Sequence, residues 1–218
     1  MLTSLTRHSP MDHKTGIDEV KWISDFGVFF HARRLEILKS MIIGEHTESA
    51  LDVGSGSGLL SSLGINSVSF DVTPHSGVTL VASAEALPFR DSSFSLIFAG
   101  EVIEHLRHPK RALRDWIRVL KTDGTLIIST PNGILVRVEG NRLDHIFTFS
   151  PNGLEEGLRG LGLSVESIRT IYTGLFGKRV FRFLPKRSKM SILRFPVPRV
   201  LSYDIFIKSR KERTVKAI

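Results

Sequence analysis

The chain has 218 residues, contains no cysteine and carries a formal net charge of +8. This length suits one sizeable α/β domain, and the lack of cysteine excludes disulfides, thiolate metal sites and cysteine nucleophiles. The positive charge is concentrated in residues 178–218, which hold thirteen Lys and Arg against two acidic residues, so the remainder has a net charge of −3. The chain shows no signal-peptide pattern and no apolar run long enough for a membrane span, which favours a soluble, cytoplasmic protein.

The N-terminal region is predicted to be helical, and strands and helices alternate after it. Apolar residues at helical spacing predict one long or two short helices over residues 17–43, broken near Gly27. Apolar runs predict strands at 50–53, 67–72, 78–82, 94–99, 125–130, 163–172 and 201–208, with helices at 59–63, 109–120 and 150–161. Ser150 and Pro151 are typical of a helix start, and Gly124 of a left-handed helix end. Such alternation favours parallel strands joined by right-handed crossovers, and the last strand, reached without a helix, is predicted to be antiparallel.

These elements predict a single domain over residues 1–218. We expect an N-terminal helical cap at 1–44, a ligand-binding core at 45–172, a basic insertion or lid at 173–200, and a final strand with a basic tail at 201–218. The proline-containing basic segment interrupts the alternation, which is why an insertion is expected there rather than a second domain.

The most informative segment is residues 51–58, Leu-Asp-Val-Gly-Ser-Gly-Ser-Gly, because its glycines follow a strand and open a helix. A ligand can approach such a backbone closely. A dinucleotide loop, as for NAD, needs its third glycine three residues after the second, but position 59 is Leu. The spacing of Gly54, Gly56 and Gly58 instead fits a site for S-adenosylmethionine (SAM), although three glycines alone could form only a turn.

Two carboxylates near this loop favour SAM. Asp52 would repel a pyrophosphate but attract the α-ammonium group of SAM. Asp71, nineteen residues later at the end of the next predicted strand, can accept hydrogen bonds from both ribose hydroxyls. Together with the glycines, these residues predict a SAM site.

At this point the sequence resembles the class I SAM-dependent methyltransferases, in particular the group that includes the ubiquinone and menaquinone biosynthesis methyltransferases. The resemblance covers about residues 45–172 and rests on segments 51–58, 82–106, 108–132 and 144–163. It implies a Rossmann-like α/β fold with a seven-stranded sheet of order 3-2-1-4-5-7-6, strand 7 antiparallel and helices on both faces.

The resemblance also implies cofactor contacts. The residues that it places around SAM are Asp52, Gly54, Ser55 and Gly56 at the methionine end, Asp71 and Val72 at the ribose and adenine, Ala84 and Glu85 at the adenine, and Gly100 and Glu101 beneath the sulfonium. Many relatives have an Asp where Ser83 stands here, which shifts the expected contact to the adenine amino group towards Glu85.

Glu101, Glu104 and His105 are spaced i, i+3 and i+4, which predicts that one helical turn presents all three on one face. The string Glu-Val-Ile-Glu-His resembles the element that binds a divalent metal in small-RNA 2′-O-methyltransferases and in some ubiquinone O-methyltransferases. This implies a Mg²⁺ or Mn²⁺ site at these three residues. Water, substrate or another side chain such as His145 would fill the remaining coordination positions. Alternatively, Glu104 is solvated and His105 only helps to close the site. Without a metal, His105 is the first candidate for the general base and His145 the second.

We therefore expect transfer of a methyl group from SAM to an O, N or C atom of a small-molecule or lipid-like acceptor, with in-line positioning as the main source of catalysis. Aromatic residues that could line an acceptor pocket are Phe29, Phe30, Tyr172, Phe176 and Phe181. One alternative is an RNA or protein methyltransferase recruited through the basic C-terminal region, which could also bind a membrane surface. A non-catalytic SAM-binding protein is the other.

Overall fold

The computed structural model describes residues 16–56, 58–74, 76–136, 145–171, 188 and 202–213, with backbone alone at 16–26 and 135–136. The helices are α1 (Gly16–Ile42), α2 (Leu59–Ser62), α3 (Pro109–Val119), α4 (Gly133–Val136) and α5 (Pro151–Arg159), with a 3₁₀ turn at Ile103–His105. The strands are β1 (Ala50–Val53), β2 (Ser67–Asp71), β3 (Leu80–Val81), β4 (Phe94–Gly100), β5 (Leu120–Pro131), β6 (Leu163–Ile171) and β7 (Asp204–Lys211). Of the predicted lid only Ser188 is described, and Tyr172, Phe176 and Phe181 lie outside the described residues.

All seven strands form one sheet in the order β3-β2-β1-β4-β5-β7-β6. The pairs among β1 to β5 are parallel, whereas β7 runs antiparallel to both β5 and β6. The predicted fold class, strand order and direction of the last strand are therefore confirmed. Parallel β1, β2, β4 and β5 all end at one edge of the sheet, where ligands bind in open α/β folds.

Apolar side chains cover both faces of the sheet because alternate strand residues point to opposite sides. On one face, the sheet packs against apolar residues of α3 and α5 that include Leu113, Trp116, Leu154 and Leu158. On the other, it packs against Ile37, Leu38, Met41 and Ile42 of α1. These two layers hold the sheet edge, and the loops on it, in fixed positions.

Helix α1 is continuous through Gly27, so the break predicted there is wrong. One glycine lowers helix propensity by only about 1 kcal/mol, which the packing of the last turns of α1 onto the sheet outweighs. The predicted start of α5 is confirmed, since the Ser150 side chain accepts a hydrogen bond from the Gly153 N–H and Pro151 opens the helix. Within the described residues, no helix combines the length and the apolar content that a membrane span requires.

The end of α3 differs from the expectation. Residue Gly124 does not have the left-handed conformation; Asp123 does, with φ of 61°. The chain passes from Val119 directly into β5, and a Cβ at Gly124 would lie 2.8 Å from the Lys121 carbonyl oxygen, so this glycine is needed for close backbone approach.

Strand β7 begins and ends three residues later than predicted, at Asp204–Lys211. Arg210, which the prediction placed in the basic tail, therefore belongs to the sheet. Lys208 and Arg210 both form ion pairs with Glu45 and with Glu166. These partners offset the cost of placing two cations in a strand that pairs on both sides.

Candidate functional site

The loop between β1 and α2 turns so tightly that its three glycines, Gly54, Gly56 and Gly58, all have a positive φ. At two of them a Cβ would also clash with a side chain. Gly54 has φ of 62°, and a Cβ there would clash with Val102 Cγ2. Gly58 has φ of 70°, and a Cβ would lie 2.5 Å from Ser61 Oγ. The bare backbone at Gly54 forms part of a cavity wall at the carboxyl edge of the sheet.

Asp71, the last residue of β2, binds the glycine loop to its own strand end. Its Oδ2 accepts a hydrogen bond from the Gly56 N–H at 3.2 Å, and its Oδ1 accepts one from the Thr73 N–H at 3.0 Å. The carboxylate is half-buried and lines the cavity. The predicted contact between Asp71 and the ribose hydroxyls of SAM stays a prediction.

Asp52 lies beneath the loop rather than in the cavity wall. Its side chain is 2% exposed. Burial, followed by the charge of Asp71, raises the pKa of Asp52 to about 7, while a backbone hydrogen bond with Leu60 acts in the opposite direction. Asp52 Oδ2 and Ser55 Oγ are both buried and find no hydrogen-bond partner among the described residues. The predicted contact between Asp52 and the ammonium group of SAM stays a prediction.

One cavity of about 520 Å³ collects most of the predicted cofactor residues, a size in the usual range for small-molecule sites. Its walls are formed by Gly54, Phe70, Asp71, Val72, Ala82, Ser83, Ala84, Glu85, Glu101, Val102, His105, Leu106 and Arg107. The predicted residues outside these walls are Asp52, Ser55, Gly56, Gly58, Gly100, Glu104 and His145.

Glu85 has a structural role that the sequence analysis missed. Its Oε1 accepts hydrogen bonds from the backbone N–H groups of Arg107 and His108, at 2.6 and 3.0 Å. Helix α3 follows immediately, and the His108 side chain makes no cap hydrogen bond. The sequence offers no capping side chain at the start of α3, which indicates that the backbone N–H groups there need an acceptor from elsewhere in the chain. Nearby, Trp116 Nε1 donates to the Ala84 carbonyl oxygen at 2.9 Å, which fixes the predicted adenine wall to α3.

Glu101 follows β4 with φ of 57°, so the prediction that it shares a helical turn with Glu104 and His105 is wrong. Only the latter two belong to the 3₁₀ turn. The chain is turned at this point because the Glu101 N–H binds the Ser129 carbonyl oxygen at 2.9 Å. Glu101 Oε1 lies 3.6 Å from Nη2 of Arg34, a residue on α1 that the sequence analysis did not identify.

Arg34 is surrounded by acidic groups. Its Nη2 donates to Ser129 Oγ at 2.8 Å, and its Nε lies 3.6 Å from Asp204 Oδ2. Asp204 is fully buried, and burial together with Glu101 raises its pKa well above the usual range. Arg34 therefore lies between Glu101 and Asp204, of which only Glu101 lines the cavity.

Glu104 is 1% exposed, so the alternative in which it is solvated is wrong. Thr130 Oγ1 donates to Glu104 Oε2 at 3.0 Å. Burial, and then the neighbouring Glu101 carboxylate, raise the pKa of Glu104 to about 8. Both effects disfavour the charged form of this carboxyl group.

His105 and His145 come together beside Glu104. Their ring centroids lie 4.8 Å apart in an edge-to-face arrangement, and His105 Nε2 lies 4.0 Å from Glu104 Oε1. The loop carrying His145 is anchored by the Ile146 N–H, which donates to the Glu104 carbonyl oxygen at 2.9 Å. One ligand atom from each of these three residues lies within 4.8 Å of the others. The set gathered here contains His145 in place of the predicted Glu101.

Comparison with known proteins agrees with this geometry. Residues 51–128, which span the glycine loop, Asp71 and the 3₁₀ turn, match the family described as "Methyltransferase domain". A relative in Mycobacterium tuberculosis, named "Probable S-adenosylmethionine-dependent methyltransferase", is 42% identical over 53 residues. That match covers 24% of this chain and 19% of the relative.

Two solved structures show the same fold over most of the chain. A SAM-dependent methyltransferase of Thermotoga maritima, titled a possible histamine N-methyltransferase, has a TM-score of 0.65 at 19% identity and covers 91% of this chain and 98% of its own. A SAM-dependent methyltransferase of Mesorhizobium loti has a TM-score of 0.58 at 13% identity, and the match covers 80% of this chain and 96% of that one. Residues 51–128 are thus similar to the methyltransferase domain family, and the chain has the same fold as these solved SAM-dependent methyltransferases.

Proposed function

We propose that the chain transfers the methyl group of SAM to a small-molecule or lipid-like acceptor. The observation that carries the proposal is the cavity of about 520 Å³ in which Gly54, Asp71, Glu101 and His105 meet. It lies within the segment that matches the methyltransferase family. A dinucleotide site shares the bare backbone and the diol acceptor, but a second carboxylate in the pocket would repel its pyrophosphate and attract the positive charges of SAM.

The cavity walls suggest how SAM would lie. Asp71 would accept the ribose hydroxyls and Val72, which is 75% exposed, would cover one adenine face. The adenine would lie against Ala84 and Glu85, which α3 holds in place. The methionine end would then reach the remaining predicted contacts, namely Asp52, Ser55, Gly56, Gly58, Gly100 and Glu101. The cavity walls contain three carboxylates, Asp71, Glu85 and Glu101, against the cation Arg107. This suits a ligand that carries both an ammonium and a sulfonium charge.

His105 is the proposed general base, because it lines the cavity and lies beside the buried Glu104 carboxyl group. When bound, SAM supplies a methyl group whose bond to sulfur breaks as the bond to the acceptor forms, which leaves a neutral thioether. His105 would take the proton that the acceptor loses and pass it to water. His145, in contact with the His105 ring, and Glu104 would hold the imidazole in position.

A divalent cation, Mg²⁺ or Mn²⁺, is the alternative use of the same side chains. The donor set fits, since Glu104 Oε1 is buried without a hydrogen-bond partner among the described residues and lies close to two imidazoles. Glu104, His105 and His145 would hold the ion. Its chemistry would be to bind an acceptor hydroxyl and lower the pKa of that group.

Methyl transfer is tested by incubating the purified protein with SAM labelled in its methyl group and a fractionated cell extract. We expect label in one acceptor fraction, and loss of that label in Asp71→Ala. Asp91→Ala is the matched control, because Asp91 is 75% exposed and pairs with Arg118 outside the cavity. Binding of SAM without label in any fraction would contradict the proposal and favour the non-catalytic alternative.

A further inference from the structure

One face of α3 and the residues just before it carry four exposed cations, here called the α3 cationic face. Its members are Arg107, Lys110, Arg111 and Arg114. Within α3, Arg114 follows Lys110 by four residues and Arg111 by three, and all three line one groove. Arg107 lies two residues before the start of the helix. No described carboxylate lies within ion-pair distance of any of the four.

The next turn of the same helix behaves differently. Arg118 forms ion pairs with Asp91 at 2.7 Å and with Asp115 at 2.8 Å, and it also binds the Phe89 carbonyl oxygen. Arg118 therefore has a structural role, whereas the four cations of the α3 cationic face are exposed at the surface.

Apolar side chains border this face. Phe147 shares a groove with Lys110, Arg111 and Arg114; it is 40% exposed, and its neighbour Ile146 is 53% exposed. Both are held in place, since their backbone N–H groups donate to the Glu104 carbonyl oxygen at 2.9 and 3.0 Å. A fixed apolar pair thus lies beside a row of cations.

The face also adjoins the proposed cofactor site. Arg107 lines the cavity that contains Asp71 and His105, while its backbone N–H binds Glu85. A partner that covers the α3 cationic face would therefore reach the mouth of that cavity.

We infer that the α3 cationic face docks on an anionic lipid surface. Phosphate headgroups complement the four cations, and Phe147 and Ile146 would enter the boundary between headgroups and acyl chains. RNA would also match the charge, but single strands are bound by several aromatic side chains on which successive bases stack. Of the two exposed apolar side chains beside this face only Phe147 is aromatic. The inference goes beyond the proposed methyl transfer, and it would bring the cavity mouth to a lipid-like acceptor.

The test is co-sedimentation of the full chain with vesicles of phosphatidylcholine alone and of phosphatidylcholine with about one-quarter phosphatidylglycerol. We expect binding to the anionic vesicles only, weakened by salt. Each cation near the membrane should strengthen vesicle binding roughly fivefold. The double variant Arg111→Gln, Arg114→Gln should therefore bind anionic vesicles about 25-fold more weakly. Phe147→Ser should weaken vesicle binding by about fivefold or more through lost apolar burial.

The matched control is Lys39→Gln with Arg169→Gln, which removes two exposed cations on α1 and β6 and should leave vesicle binding within twofold of the unaltered chain. SAM titration and the melting temperature establish that each variant is folded. Asp71→Ala should keep vesicle binding while it loses SAM, which separates this inference from the proposed function. The inference would be overturned by equal binding to both vesicle types or by undiminished vesicle binding of the Arg111→Gln, Arg114→Gln variant. It would also be overturned if the chain bound RNA in a salt-sensitive way but not vesicles, and this variant lost the RNA binding.

Discussion

The Asp71 carboxylate accepts the Gly56 N–H at 3.2 Å and so joins the end of β2 to the loop that follows β1. The same side chain lines the cavity proposed for SAM. Loop geometry and ribose recognition would therefore depend on one residue.

Asp71→Ala is expected to weaken SAM binding by at least about 100-fold. The reason is the loss of two hydrogen bonds to a charged acceptor, each contributing about 1.5–3 kcal/mol. Calorimetric titration measures the change, and Asp91→Ala should bind SAM as the unaltered chain does. An Asp71→Ala variant with unaltered affinity would show that the ribose lies elsewhere.

Gly54→Ala is expected to destabilise the fold by about 2–4 kcal/mol, because it combines a left-handed φ with a clash against Val102. Urea denaturation gives the free energy of unfolding. In the background of Val102→Ala the cost should fall by about 1 kcal/mol or more, since the clashing methyl group is gone. Gly157→Ala, in α5 with open space around it, should instead be neutral or stabilising. Equal losses of stability in Gly54→Ala and Gly157→Ala would contradict the left-handed φ and the close contact with Val102 at Gly54.

Asp52 should make stability depend on pH. Its native pKa of about 7 lies above the unfolded value near 4, so the native state binds more protons in this interval and the free energy of unfolding falls as the pH rises. The free-energy cost of ionising the buried Asp52 carboxyl group is absent below about pH 4 and complete above about pH 7. Asp52→Asn cannot ionise, and its stability relative to the unaltered chain should increase by about 2–4 kcal/mol between pH 4 and pH 8.

Urea denaturation at several pH values tests this prediction for Asp52. Asp91→Asn, at an exposed position, serves as the control and should follow the unaltered chain. Parallel stability curves for Asp52→Asn and the unaltered chain would mean that burial does not shift the ionisation of Asp52.

Titration with Mn²⁺ separates the two proposed uses of the histidine pair. If the cluster of Glu104, His105 and His145 holds a cation, His145→Ala should weaken Mn²⁺ binding at least about tenfold. His46→Ala, which removes an exposed histidine, should not. Absence of Mn²⁺ binding, or identical binding by both variants, would exclude the metal and leave His105 as the base.

Local patterns explain why much of this structure was predictable. The parallel strands and the antiparallel last strand follow from the alternation of strands and helices, whereas the strand order was implied by the family resemblance. The cavity wall was predicted from glycine spacing and a carboxylate at a strand end, which involve residues close in sequence. Arg34 was missed because its hydrogen bond to Ser129 spans 95 positions along the chain, and no local periodicity reports such a contact.

Glu101 shows how a pattern can mislead. The i, i+3, i+4 spacing assumed a helix, but the bond from the Glu101 N–H to β5 turns the chain and gives a positive φ instead. His145 joins Glu104 through backbone hydrogen bonds of the residues that follow it, and these leave no trace in side-chain composition. The site was therefore predictable where single strands form it and not where distant loops meet.

The most direct test of the central claim is calorimetric titration of the full chain with SAM and, separately, with NAD. The account predicts saturable binding of SAM at one site per chain and no heat of binding from NAD. Binding of NAD without SAM, or of neither, would contradict the assignment of the cavity.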